Sequence, residues 1–347
     1  MQLAEGLRLD KVRCASAHLA AGVDPAGTAP VWDAVLVVEV PGPWPRDISA
    51  AEPFRSLTDA VRPTLAGADG RVWRPQGVVP GEPGGGTRVM AFERTRSGPG
   101  PFTRREWVVP DGEPERVVQL CAALVASDAD AQAGFEQWRD DPPEGTVDLL
   151  VCTHGTRDVC CGGQGPPLCS EVAGALGAAG GRTAQGAPAR LWRTSHAGGH
   201  RFAPTGVSFP EGVAWAHLDA GAALSVLRRD GDPASLAGHV RGAVTVAGPQ
   251  AQVADREGFA VHGWGWWAAE RTAVLVAHDR TTLASSVEVL GRLPDGADVG
   301  VRARVELDHH IAMPTCGAVE EPELATEPVW RVAARDVLAL DGRARAQ

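Results

Sequence analysis

This 347-residue sequence predicts a mixed α/β fold built twice. Three observations lead there. Val35-Leu36-Val37-Val38-Glu39-Val40 and Val147-Asp148-Leu149-Leu150-Val151 are strand-length apolar runs bounded by turn formers or polar stretches. Each run opens a series of similar order, β-α-β then β-β-α in the first and close to β-α-β-β-α in the second. Helical periodicity closes each set: Val117, Val118, Leu120, Cys121, Leu124 and Val125 share one helix face, and residues 220–229 read as the second closing helix. The repetition suggests a duplicated thioredoxin-like architecture.

In chain order, strand 35–40 is stopped by Pro41-Gly42-Pro43. A helix is expected over about 50–65, with Pro53 and Pro63 interrupting its pattern. Strands follow near 71–76, 88–92 and 106–109, then the amphipathic helix at 113–126. The second unit opens with strand 147–151, leading straight into Cys152. A small-residue helix is expected over 168–179, started by Pro166-Pro167 and stopped by Gly180-Gly181. Strands at 189–193 and 212–218 and the helix at 220–229 complete the unit. Further on, 249–257 reads as helix. Residues 273–278, 285–290 and 299–307 read as strands, the last two joined by a Pro294-Asp295-Gly296 turn. The expected organisation is a unit at 1–140 without metal ligands, a unit at 146–230 carrying them, and a C-terminal α+β region at 231–347.

Composition narrows the function. The net charge of −10 argues against nucleic acid, which needs a basic face. No apolar run reaches the ~18 residues that span a bilayer, and the first ten residues lack a signal peptide's pattern. A cytoplasmic protein away from membranes is the expectation. Lys11 is the one lysine, against 32 arginines. The Gly-rich run 81–86 is therefore no P-loop, which needs Gly-Lys-Ser/Thr.

Seven cysteines, four of them between Cys152 and Cys169, point to metal or redox work rather than structural disulfides. No Cys-x-x-Cys occurs, so a thioredoxin-type dithiol motif is absent. Two segments carry the chemistry. The first, Cys152-Thr153-His154-Gly155-Thr156-Arg157-Asp158-Val159-Cys160-Cys161-Gly162, leaves a strand and returns on itself through a glycine-containing loop that Cys161 closes. The second, Ser195-His196-Ala197-Gly198-Gly199-His200-Arg201-Phe202, holds two imidazoles on a tight glycine turn between strands. Zinc hooks use two to four residues between cysteines. The longer spacing here suits a loop wrapped over an iron–sulfur cluster, with Cys160 competing with Cys161 for the second thiolate place. A Rieske centre mixes one Cys and one His in each segment; this chain segregates them.

The pattern Cys152-x-His154-x-x-Arg157-Asp158-x-x-Cys161-Gly162, followed by His196-x-Gly198-Gly199-His200-Arg201-Phe202, resembles the sucrase/ferredoxin-like family, thioredoxin-like [2Fe–2S] proteins that include bis-histidinyl, non-Rieske members. The resemblance is specific over residues 147–218. Gly27-Thr28-Ala29 and Pro41-Gly42-Pro43-Trp44 also look family-like. It implies a [2Fe–2S] cluster on Cys152, Cys161, His196 and His200, and an electron-transfer role coupled to a proton, between redox donor and acceptor proteins that the sequence does not name. No carboxylate pair for glycoside hydrolysis is identifiable. His154, Arg157, Asp158, Cys160, Gly198, Gly199 and Arg201 are the candidates to support these ligands.

Two other readings use the same residues. One is a structural Zn2+ site on the same Cys2His2 set. The other is a thiol–disulfide oxidoreductase using Cys160 with Cys161, or Cys169. Cys14, Cys121, Cys169 and Cys316 read as small buried hydrophobes. Trp264-Gly265-Trp266-Trp267 reads as packing.

Overall fold

Three short helices, α1 (Cys14–Ala20), α4 (Ala129–Ala133) and α7 (Pro233–Leu236), accompany the larger elements, and strand β1 (Ala34–Glu39) sits at the centre of the first unit. It pairs in parallel with β2 (Trp73–Val78) and antiparallel with β3 (Thr87–Arg94), which continues antiparallel to β4 (Phe102–Val109). The computed structural model describes residues 13–61, 70–81, 84–94, 100–312 and 326–339. In the second unit β5 (Val147–Cys152) pairs in parallel with β6 (Ala189–Thr194) and antiparallel with β7 (Gly206–Phe209), which meets β8 (Val213–Trp215). The strand order β4-β3-β1-β2 is therefore mirrored in β6-β5-β7-β8. Val78 of β2 pairs with Thr194 of β6, and β9 (Val240–Ala243) extends the far edge. Two like units thus share one nine-stranded sheet.

Strand alternation sorts the core. Leu36 and Val38 pack on helices α2 (Phe54–Val61) and α3 (Pro114–Val125), and Leu149 and Val151 on α5 (Val159–Ala178) and α6 (Ala220–Arg228). The opposite faces of the two units meet each other. Val35, Val37, Met90 and Phe92 share one core with Leu150, Cys152, Val207 and Phe209. Phe92 stacks on Phe209 with ring centroids 4.1 Å apart.

A buried ion network staples this junction. Arg190 on β6 reaches Asp148 on β5 at 2.7 Å and Glu106 on β4 at 2.8 Å. Arg104 meets Asp148 at 2.6 Å, Trp192 donates its indole N–H to the same carboxylate at 2.7 Å, and Arg88 pairs with Glu106. Both carboxylates are fully buried.

Beyond β9, α8 (Pro249–His262) packs against an antiparallel sheet in the order β10 (Glu270–His278), β11 (Ser285–Arg292), β12 (Asp298–Ala312), β13 (Thr326–Ala339). The tryptophan run forms α9 (Trp264–Ala268), with Trp266 and Trp267 fully buried, in accord with packing.

Several boundaries differ from the sequence reading. The helix expected at 50–65 is a 3-10 turn at Ile48–Ala50 followed by α2, and residues 62–69 lie outside the described residues. The strand expected at 212–218 is β8 alone, shortened, and β7 had no expectation, because its four residues are too few to show alternation. The largest correction is α5. It starts at Val159, not 168, and runs through Pro166 and Pro167. These prolines have no N–H to give the carbonyls four residues earlier. Those carbonyls belong to Gly162 and Gly163, in a stretch whose glycines have no side chain to clash. Cys160 and Cys161 therefore sit on the first helical turn rather than in a loop.

Candidate metal centre

Parallel pairing of β5 and β6 ends both strands at the same edge, where open α/β sheets place their sites. Cys152 registers with Thr194, so His196 follows two residues beyond its partner strand. The backbone N–H of Thr153 donates to Thr194 at 2.9 Å and fixes the exit of both chains. Alternation then turns Cys152 inward, into the core between the two units, with Cys14, Cys160, Cys161 and Ala197.

Close backbone packing brings Cys161 there. A Cβ on Gly165 would lie 2.2 Å from the Cys152 carbonyl oxygen, and one on Gly162 would lie 2.3 Å from the Gly155 Cα. Only glycine lets α5 start this near the end of β5.

The Cys152 thiol is held well below its usual value. The hydrogen bond from Cys161 is the largest cause. Burial opposes it, and contacts with His196 and with the backbone N–H groups of His154 and Ala197 add to it. Cys161 is driven the other way, first by donating to Cys152 and then by burial. Cys152 thus sits between a thiol and an imidazole, in surroundings that favour its thiolate form.

The two histidines diverge. His196 Nδ1 lies 2.8 Å from Asp158 Oδ2, whereas His200 Nδ1 lies 3.2 Å from Cys14 Sγ and 3.9 Å from Asp158 Oδ1. Burial works against a charged His196, but Asp158 and Cys152 outweigh it and raise its affinity for a proton. At His200 burial prevails and holds the ring below its ordinary value. Asp158 stays low despite its own burial, chiefly through His196.

The supporting candidates are placed as follows. His154 is buried; its Nδ1 accepts the His196 backbone N–H at 3.1 Å, so its Nε2–H donates to the Pro45 carbonyl at 2.8 Å. Trp44 packs edge-on against the same ring, 5.5 Å between centroids. Arg157 donates outward to the Arg46 carbonyl at 3.3 Å, and Asp158 turns to the histidines. Gly198 and Gly199 both take positive φ, and a Cβ on Gly199 would strike the Arg241 guanidinium at 2.4 Å. Arg201 makes a bidentate pair with Glu327 of β13. Cys160 faces Cys14 at 3.6 Å. Cys121 and Cys169 are buried thiols, and burial pushes the Cys169 thiol up to about 11. Cys316 lies outside the described residues.

Sequence reasoning missed the braces that come from elsewhere in the chain. Arg74 and Gln76 on β2 donate to the His196 carbonyl at 3.0 and 3.1 Å. Buried Arg241 donates to the Gly198 carbonyl at 3.1 Å and ties the turn to Thr28. Only Thr28 carried a prior signal, in the Gly27-Thr28-Ala29 stretch. An isolated arginine or glutamine on a strand has none.

Among the described residues, no three or more His, Cys, Asp or Glu side chains are gathered as ligands of one metal ion. Cys152 touches Cys161 and His196, and His200 stands aside with Cys14. The donor set still fits a cluster, because a [2Fe–2S] group takes its ligands two by two on separate irons. The buried pair His196 Nδ1 and Asp158 Oδ2 also fits: at 2.8 Å it makes no aligned hydrogen bond, leaving the ring oriented but not committed. No helix among the described residues is long and apolar enough to cross a membrane. No curated protein and no solved structure matches the chain. The family model described as Sucrase/ferredoxin-like matches residues 25–242, which spans both units of the nine-stranded sheet, and the chain belongs to that family.

Proposed function

We propose that this is an electron-transfer protein whose [2Fe–2S] cluster is held by Cys152, Cys161, His196 and His200. The observation that carries the reading is the convergence at the end of β5 and β6, where Cys152, buried in the core between the two units, meets both Cys161 and His196. When bound, the cluster supplies a one-electron couple. The chain's own residues prepare the place for it. The low-lying Cys152 thiol offers a ready thiolate. His154, Arg74 and Gln76 hold the His196 backbone, and Arg241 holds the turn that presents His200. Asp158 faces Nδ1 of His196 at 2.8 Å and favours a proton at that atom, which would leave Nε2 for a metal. With a cluster bound, added negative charge on reduction would raise that nitrogen's affinity for a proton, so that a proton would be taken up with the electron, as imidazole ligation implies.

In this reading the unit at 146–230 carries the site, the unit at 1–140 supplies braces but no ligand, and the region at 231–347 closes over the His200 turn through Glu327. The test is the visible spectrum of full-length protein purified without oxygen, with iron and acid-labile sulfide measured on the same sample. A red-brown protein with equal iron and sulfide is expected. A colourless protein carrying stoichiometric zinc overturns the reading in favour of a structural Zn2+ site.

A further inference from the structure

Cys14 lies far from the ligand segments in sequence, on the short helix α1 (Cys14–Ala20), yet its thiol enters the same buried core. Its Sγ is 3.6 Å from Cys160 Sγ and 3.2 Å from His200 Nδ1. The two sulfurs are in van der Waals contact. Closing them to a disulfide of about 2.05 Å needs a shift of only about 1.5 Å. The neighbouring Cys161 makes the hydrogen bond to Cys152. The first turn of α5 therefore presents its two adjacent thiols to different partners, Cys161 to Cys152 and Cys160 to Cys14.

We infer that Cys14 and Cys160 are a dithiol that hydrogen peroxide converts to a disulfide. Burial selects the oxidant. Cys14 and Cys160 are 0% and 1% exposed, which excludes a bulky reagent such as a tripeptide disulfide and leaves a small uncharged one. One sulfur attacks peroxide, the O–O bond breaks, and water leaves as that cysteine becomes a sulfenic acid. The second sulfur attacks the sulfenic sulfur, the S–O bond breaks, and the hydroxyl leaves as water with the second thiol's proton. Two thiols and one peroxide thus give one disulfide and two waters, with two electrons passing from sulfur to peroxide oxygen. The disulfide tethers α1 to α5 and removes the Cys14 contact from His200, so the oxidant alters the surroundings of a candidate ligand without touching Cys152 or Cys161. This inference stands independently of the cluster.

The test exploits the spacing of arginines. Trypsin releases Cys14 alone in peptide 14–46, Cys152 alone in 140–157, and Cys160, Cys161 and Cys169 together in 158–182. Reduced full-length protein is exposed to a slight excess of hydrogen peroxide, blocked with N-ethylmaleimide, digested without reductant and mapped by mass spectrometry. The cross-link between 14–46 and 158–182 should exceed any other by at least about tenfold, as proximity of the reacting groups favours. It should survive Cys161→Ser and vanish in Cys160→Ser. Recovery of Cys14 as the maleimide adduct, its linkage to Cys152, or a cross-link unchanged by Cys160→Ser overturns the inference. The wild-type map decides the matter even if a variant fails to fold. A colourless preparation bears on the cluster and not on this disulfide.

Discussion

Cys160 and Cys161 are adjacent in sequence and chemically identical, yet one helical step separates their directions by about 100°. Cys161 meets Cys152, and Cys160 meets Cys14. The two should therefore differ in substitution. Cys152→Ser or Cys161→Ser should cut cluster loading by about tenfold or more, on the scale by which metal sites lose affinity when their shells are altered, whereas Cys160→Ser should keep most of the visible colour. His196→Cys or His200→Cys should keep a cluster and lower its reduction potential, since a thiolate adds negative charge where imidazole was neutral. Absorbance per protein and the midpoint potential are the readouts. Bleaching by Cys160→Ser with colour retained in Cys161→Ser would assign the second thiolate to Cys160, and an unchanged or raised potential in an intact His→Cys cluster would refute imidazole ligation.

Helix α5 is the element on which the site depends. Its residues are mostly small, and its glycines differ in surroundings. Gly165 abuts the Cys152 carbonyl, while Gly174, on the same helix, has nothing within 4 Å of an added Cβ. Gly174→Ala should stabilise the fold by up to about 1 kcal/mol, the ordinary helix gain. Gly165→Ala should reverse the sign and cost about 1–3 kcal/mol through overpacking against backbone. It should also loosen Cys161 from Cys152. Urea unfolding of the two variants side by side checks this; equal stabilisation would mean that the helix is not pressed against β5. The same close packing explains why the start of α5 is hard to read from sequence. Two prolines and a string of glycines oppose a helix locally, and tertiary contact with β5 overrides them.

Across the whole molecule, Arg190 joins carboxylates from both units, Glu106 of β4 and Asp148 of β5. Replacing it leaves two buried charges with fewer partners. Arg190→Met should lower stability by about 3–5 kcal/mol, the cost of breaking a buried ion pair from one side. If the network holds the units together, the loss should appear as one cooperative transition at lower denaturant. Two separated transitions would mean that the units unfold independently, and a loss below about 1 kcal/mol would mark the network as replaceable. The first unit supplies support here: β2 braces His196, and its inner face packs into the core that holds Cys152.

The sequence by itself determined the α/β class, the repeated order of elements, the family and the two Cys- and His-bearing segments in which the ligands are proposed. These properties reside in local periodicity, in strand-length apolar runs and in residue types at fixed short spacing, all of which act over a few neighbouring residues. Tertiary structure alone decided that the two units share one sheet through β2 and β6. It also decided that Cys152 turns inward between them, that Cys14 joins Cys160 and His200, and that Arg74, Gln76 and Arg241 hold the histidine turn. Each of these depends on strand register or on side chains far apart in the chain. A single strand or a lone arginine has the same local pattern whether or not a partner waits across the fold.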